Sequence, residues 1–256
     1  MKKQDSKKST DRKFSGEKVG ILGNGEVGSA IAKFYENPKI KDLSRNDGLQ
    51  GVDILHVCIP FTNKFVDVVE KEIKNTNPKL TIVHSTVSPG TIKSLAEKFP
   101  DMVVHSPVRG VHPNLHEGIK TFIKYVGADS KKAGLLAKKH FEKLGIKVKV
   151  LGSSTATEVG KILDTTYYGV VIAWHGEMKE ICDQFGVNFD EAVTDFNNTY
   201  NEGYTKLGKK NVVRPVLYPP QNGKAKHCIV PNVAMLSQHY KTPFFELLLK
   251  KYRDKL

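Results

Sequence analysis

The stretch KVGILGNGEVGSAIAKFY, residues 18–35, decides the fold. Val19, Ile21 and Leu22 form a short apolar run that leads straight into Gly23-Asn24-Gly25-Glu26-Val27-Gly28. Ala30, Ile31 and Phe34 then share one face of a helical repeat. Strand, glycine turn and helix in this order open a dinucleotide-binding unit. Gly23 is expected to make the tight turn, Gly25 to let backbone approach a pyrophosphate, and Gly28 to let the helix pack closely on the strand. The N–H groups at the helix start, around Asn24, Glu26 and Val27, together with the helix dipole, suit an anion.

Working outward, Pro38 closes that helix and PKIKDL supplies a short second strand. Asp42 stands at its end, nineteen residues after Gly23 (42 − 23). An acidic residue at that distance hydrogen-bonds the adenosine ribose and favours NAD over NADP. Two other readings stand beside it: a plain surface aspartate, and a nearby Arg45 that could meet a 2′-phosphate. NAD is the expected cofactor and NADP the lesser alternative.

VDILHVCIPF is an almost unbroken apolar run, as a strand buried on both faces requires. FVDVVEKEIK has helical spacing, LTIVHST reads as a strand, TIKSLAEKF as a helix and MVVHSPV as a strand. TFIKYVG, a helix through Ala133 to Leu144, and IKVKVLG complete the alternation. Strands and helices alternating in this way predict an α/β fold, a Rossmann-type doubly wound and mainly parallel sheet. Ligands of such sheets bind at the carboxyl ends of the strands. Here those ends carry Pro60-Phe61-Thr62, Ser85-Thr86-Val87 and Ser106-Pro107.

The pattern changes at residue 153. Thr155 with Glu158 has capping-box spacing. Val159, Ile162-Leu163, Tyr167, Val170-Val171, Trp174, Met178, Ile181-Cys182 and Phe185 recur every three to four residues, which predicts one long helix ending near Gly186. Asn188 with Glu191 starts a further helix through about Gly203; a loop rich in Pro and Gly follows, then a C-terminal helix from Thr242. The expected organisation is a disordered basic tail over 1–16, a Rossmann NAD-binding domain over 17–152, and a smaller all-helical substrate and dimerisation domain over 153–256 that the long interdomain helix begins.

The bulk properties narrow the class. Of 256 residues, 39% are hydrophobic and 26% charged, as in an ordinary soluble globular protein. No apolar run is long enough for a bilayer and no signal-peptide core precedes Lys18, so a cytoplasmic protein is expected. Cys58, Cys182 and Cys228 have no C-x-x-C spacing, which argues against a disulfide framework or a thiolate zinc site. The net charge of +13 comes partly from the MKKQDSKKSTDRK tail and is otherwise spread thinly. With no basic stripe interleaved with aromatics, an anionic small molecule is the expected partner, not nucleic acid and not a membrane.

On the long helix, Lys161, Asp164-Thr165, Tyr168 and His175 fall near one line opposite the apolar stripe. Such a face is either a solvated surface or a group of proton-transfer and anion-binding residues. Residue patterns on this helix and elsewhere in the chain resemble the superfamily of 6-phosphogluconate, β-hydroxyacid and UDP-glucose/GDP-mannose dehydrogenases. HSTVSPGT (84–91) is similar to the S-T-V-x-x-G-T strand end of nucleotide-sugar dehydrogenases. VGKILDTTYYG (159–169) resembles the helix bearing their catalytic lysine, which falls on Lys161. HSPVRGVHPNLHEGI (105–119) resembles the S-P-E-x-x-x-x-G segment, and GKAKHCIVPNVAML (223–236) the G-x-G-G-H-C-I-P-V-D-P-Y-x-L segment, which places Cys228 on the nucleophilic cysteine.

The resemblance implies NAD-dependent hydride transfer on an anionic hydroxy or sugar-type substrate, with Lys161, Cys228, Thr86 and Thr165 as the catalytic set. In that family the cysteine attacks an aldehyde to give a thiohemiacetal, and a second hydride transfer yields a thioester that water hydrolyses. Lys226 and His227 beside Cys228 would favour the thiolate; a lone cysteine is otherwise a small buried hydrophobe. Arg109, Tyr168, His227 and Asn232 are the expected substrate-binding residues, and a homodimer through the helical domain is implied. The departures are specific. The family's Glu is Val108 here, its Asn is Thr165, its Asp is Asn232, and its Gly-Gly is Ala225-Lys226. No C-terminal nucleotide-sugar-binding domain follows within the 256 residues. A two-electron, β-hydroxyacid dehydrogenase-like enzyme using only Lys161, and an NAD-binding protein without catalysis, are the alternatives. His105, His112 and His116 are expected in a loop, since Pro113 breaks the helix that would aim the last two at one metal; no metal is expected.

Overall fold

The computed structural model describes residues 16–110, 113–219 and 226–253. The chain divides into two compact units, one up to Val159 and one from Gly160.

In the first unit, β1 (Val19–Leu22), β2 (Lys39–Lys41), β3 (Ile54–Val57), β4 (Leu80–Val83), β5 (Val103–His105), β6 (Lys124–Gly127) and β7 (Val148–Leu151) form one sheet in the order β2-β1-β3-β4-β5-β6-β7. The first five are mutually parallel, β6 turns antiparallel to β5, and β7 runs parallel to β6. The doubly wound fold read from the alternation is therefore present, with its last two strands reversed.

Side chains alternate across the sheet. Ile21, Ile54, Ile82 and Val104 join the core beneath α1 (Glu26–Ala32), α4 (Leu115–Thr121) and α5 (Lys131–Lys143). Leu22, Leu55, Val83 and Val103 join the core beneath α2 (Phe65–Thr76) and α3 (Thr91–Lys98). Burial on both faces is why these strands read as continuous apolar runs.

α6 (Ser154–Gln184) begins in the first unit and continues into the second. The predicted capping box at its start does not form. The Glu158 carboxylate, fully buried, instead accepts from the N–H groups of Gly90 (2.7 Å) and Ile92 (2.8 Å), capping α3 from a distance. Two orphan donors at a helix start are satisfied from another element.

In the second unit Ile162 and Ile172 of α6 pack with Ile229, Val233 and Leu236 of α8 (Lys226–Ser237) and with Phe245 and Leu248 of α9 (Pro243–Arg253). Gly169 permits this approach: a Cβ there would lie 2.5 Å from Cγ2 of Ile229. Asn188 does act as a cap, its Oδ1 accepting from the N–H groups of Asp190 and Glu191 at 2.8 and 3.2 Å. A π-helical stretch, Asp190–Asp195, then runs into α7 (Phe196–Lys206).

Three expectations about this region are corrected. The segment read as a Pro- and Gly-rich loop contains α8, which carries Pro231 inside it; proline normally argues against a helix interior, and here the apolar face against α6 outweighs it. The apolar stripe of α6 is not one buried face: Leu163, Tyr167, Trp174, Ile181 and Phe185 are exposed, while the inward line is Ile162, Thr166, Ile172 and His175. His175 is therefore not on the polar face; it is buried, bonded through Nδ1 to the Val171 carbonyl.

Candidate functional site

At Gly23 and Gly28 the turn behaves as its sequence predicts. Gly23 adopts φ +95°, which only glycine tolerates readily, and a Cβ there would lie 2.8 Å from the Cys58 backbone. A Cβ on Gly28 would fall 1.9 Å from the Gly23 carbonyl oxygen, so helix and turn meet only because both lack side chains. A Cβ on Gly25 would meet nothing within 4 Å, so the turn is open there.

Asp42 sits beside this opening. One carboxylate oxygen accepts from the Asn24 N–H and the other from the Leu43 N–H, and these bonds hold the carboxyl below the usual range. Each oxygen keeps a lone pair for a further donor. Arg45 is engaged elsewhere: its Nε lies 3.0 Å from both Asp47 oxygens and its Nη2 2.7 Å from one.

Because β2, β1, β3 and β4 are adjacent and parallel, Asp42, the glycine turn, Pro60 and Thr86 all lie at one edge of the sheet. The Ser85 hydroxyl donates to the Ile59 carbonyl (2.6 Å), tying the β3 and β4 ends together. Arg109, following β5 at the same edge, has its guanidinium carbon 5.3 Å from the Phe122 ring centre and 5.4 Å from that of Tyr125. Val108, where the related motif has Glu, is buried in the apolar core.

The histidine trio separates. His105 is buried, with its Nδ1 2.8 Å from Thr157 Oγ1 and its Nε2 3.0 Å from the Ser85 carbonyl. His116 is not in a loop: it lies in α4, which starts beyond Pro113, and faces the Ala30 carbonyl. His112 lies outside the described residues. Among the described residues no group of three or more His, Cys, Asp or Glu side chains is arranged to hold a metal, and no helix is long and apolar enough to cross a membrane.

On α6 the half-buried Lys161 precedes Thr165 by one turn, and the Thr165 hydroxyl donates to the Lys161 carbonyl (3.0 Å). Tyr168 is exposed and Asn232, on α8, is buried. Residues 226–228 belong to the first turn of α8, so Cys228 is helical instead of in a loop; the side chains of His227 and Cys228 lie outside those described. One further charged residue escaped the sequence reading. Arg214 stacks on Tyr200, 4.0 Å from the ring centre, with Nη1 buried and without a hydrogen-bond partner. Nothing local marked it, since its partners stand on α7.

A two-unit protein with a Rossmann-type sheet, a glycine turn at the end of β1 and a long helix leading into a helical unit has the architecture of 3-hydroxyacid and nucleotide-sugar dehydrogenases. The 3-hydroxyisobutyrate dehydrogenase of Mycobacterium tuberculosis superposes with a TM-score of 0.66 at 14% identity, covering 93% of both chains. The UDP-D-ManNAc dehydrogenase structure from Pyrococcus horikoshii superposes with a TM-score of 0.65 at 19% identity, over 90% of this chain and 56% of that one.

In sequence the chain is similar to UDP-N-acetyl-D-mannosamine dehydrogenases. It is 24% identical to that of P. horikoshii over 239 residues, 86% of this chain and 54% of the relative. It is 27% identical to that of Methanococcus maripaludis strain C7 over 190 residues, 73% of this chain and 40% of the relative. The chain thus spans about half the length of the relatives it matches. No known family profile matches it.

Proposed function

We propose that this chain is an NAD-dependent dehydrogenase that transfers hydride between nicotinamide and an anionic hydroxy or sugar-type substrate of the nucleotide-sugar kind. The observation that carries this reading is the turn of Gly23–Gly28, open at Gly25 and flanked by Asp42. The glycine-turn N–H groups would hold the pyrophosphate, Asp42 the adenosine ribose, and Pro60 and Thr86 the neighbouring strand ends. Arg45, committed to Asp47, gives a 2′-phosphate little to meet, which favours NAD over NADP. When bound, the dinucleotide supplies the hydride acceptor; the chain supplies the proton chemistry.

In that chemistry Lys161 is the general acid/base that takes or returns the hydroxyl proton, with Thr165 and Thr86 as hydroxyl partners. Arg109 is the candidate for a substrate phosphate or carboxylate, because its fork can bind either in two places; Tyr168, His227 and Asn232 are further substrate contacts. Cys228 extends the reaction to a thioester-forming second oxidation. The β-hydroxyacid-like two-electron reaction needs Lys161 alone. The exposed aromatic seam of α6 supports a homodimer, and a cytoplasmic location fits a free-thiol protein.

The test uses the full chain with NAD and two substrate panels, UDP-N-acetylhexosamines and 3-hydroxyacids. Turnover with either panel, lost in Lys161→Ala while NAD still binds, supports the enzyme. Two NADH per sugar, falling to none or one in Cys228→Ser, assigns the four-electron route. NAD binding with no turnover on either panel supports the catalytically silent alternative.

A further inference from the structure

One buried chain of side chains in the first unit has no part in the proposed chemistry. Glu17 Oε2 lies 2.7 Å from His140 Nδ1, and His140 Nε2 2.7 Å from the Tyr35 hydroxyl. That hydroxyl lies 2.9 Å from His56 Nε2, His56 Nδ1 2.9 Å from His84 Nε2, and His84 Nδ1 2.9 Å from the Ser106 carbonyl. Tyr35, His56, His84 and His140 are all nearly inaccessible.

The hydrogens can be counted. Both ends, a carboxylate and a carbonyl, only accept, so the five contacts need five hydrogens. Three neutral imidazoles and one phenol carry four. A fifth would be an added proton; placed on His140 it would let both ring nitrogens donate, one of them to Glu17. Without that proton, Lys124 completes the chain differently. Its Nζ lies 3.3 Å from His84 Nδ1 and also bonds the Ser106 and Pro107 carbonyls at 2.7 and 3.0 Å. Lys124 then donates to His84, and the three inner bonds run the opposite way.

We propose that Glu17, His140, Tyr35, His56 and His84 form a buried single-proton binding site, in which uptake of one proton by His140 reverses the hydrogen bonds through Tyr35. His56 and His84 pass from the Nε2–H to the Nδ1–H tautomer without becoming charged. In the proton-bound state His84 becomes a second donor to the Ser106 carbonyl, three residues before Arg109, so the site communicates with the β5 strand end. No atom is gained or lost beyond the one proton.

The surroundings suit this division of labour. Lys143 bonds the other Glu17 oxygen (2.8 Å), and Glu17 is held down to about 2 by its bond to His140, so it stays ionised. Burial, with Lys124 and a second histidine adding to it, keeps His56 and His84 neutral, and Tyr35 is held in its phenol form by burial. Cys58, pushed up to about 12 by burial, remains a thiol. His105 faces His84 from β5 and Lys79 feels Glu17; neither is a link in the chain.

Nitrogen-15 spectra of histidine-labelled full chain, recorded through a pH titration, read each tautomer directly. The expected result is one shared midpoint at which His140 gains a proton while His56 and His84 change tautomer. Constant tautomers at His56 and His84, or a change at a pH other than that of His140, overturns the proposal. In Tyr35→Phe, His140 still titrates and the other two no longer follow; if they follow, the relay is wrong. Should that variant not fold, Glu17→Gln, at a partly exposed position, decides. It is expected to lower the shared midpoint by at least one pH unit, a tenfold loss of proton affinity, and an unmoved or raised midpoint overturns the proposal.

Discussion

The two units solve the problem of burial differently. The first closes its own core on both faces of a sheet, and of its interior polar groups His56, His84, His140, Lys124 and Glu158 are matched with partners, while the Thr81 hydroxyl is not. The second leaves Tyr167, Trp174, Ile181, Phe185, Phe196, Tyr200 and Leu207 exposed in the single chain. A set of large apolar side chains this size on a monomer marks an interaction surface. The contrast supports the proposal that the first unit holds a ligand at its sheet edge and that the second associates with a second copy.

The predictions press on that contrast in order of size. Lys161→Ala is expected to lower turnover by about 10²–10⁴-fold, the usual contribution of a general acid/base, while NAD affinity, measured by calorimetry, stays within about threefold if the first unit binds alone. Gly28→Val forces a side chain against the Gly23 carbonyl 1.9 Å away. It is expected to cost about 1–3 kcal/mol by thermal unfolding and to remove NAD binding; an unchanged melting temperature would contradict the close packing. If the proposed homodimer forms through α6, Tyr167→Glu with Trp174→Glu is expected to leave a monomer by sedimentation, without loss of helix content; a wild-type monomer overturns that part of the proposal.

Two smaller effects probe the first unit alone. Asp42→Ala should weaken NAD about tenfold or more, the loss typical of a charged hydrogen bond. Adding Asp47→Ala, which frees Arg45, should raise NADP affinity relative to NAD; no change in that ratio argues against Asp42 as the ribose ligand. The last concerns pH. His56 and His84 lie below 6.5 in the fold because burial penalises their charged forms, so the unfolded chain binds more protons as pH falls below 6.5. Stability is thus expected to be complete above 6.5 and to decline below it. Glu17, lowered from 4.5 to about 2, adds a term present above 4.5 and lost as pH falls through about 2. Denaturant midpoints at pH 7.5, 6 and 5 check the sign, and a first-unit midpoint that rises on acidification would refute it.

Legibility followed distance along the chain. The β1–turn–α1 unit was readable because its constraint, three glycines within six residues, is local. Asp42 was legible as an acidic residue nineteen positions after Gly23, but its bond from the Asn24 N–H, 18 residues away, came only with the fold. Glu158 was misread because Thr-x-x-Glu is satisfied equally by a local box and by a glutamate reaching elsewhere; only the arrival of Gly90 and Ile92, 68 and 66 residues away, chose between them. α8 has no local signature because Pro231 and the surrounding Pro and Gly speak for a loop; the helix is favoured by Ile229, Val233 and Leu236 packing on α6 and α9, an approach that Gly169 permits. The histidine chain had no signature, since Glu17 and His140 are 123 residues apart.

By itself the sequence determined the class of fold, the glycine turn and the acidic residue beside it, because strand burial and positive φ leave a residue-by-residue imprint. Tertiary structure alone decided which face of α6 lies inward, where Glu158 and Arg214 find partners, and that Tyr35, His56, His84 and His140 meet in one buried chain. Those outcomes depend on groups that meet only after the chain has folded, and hydrogen-bond matching in a dry interior is set by neighbours in space.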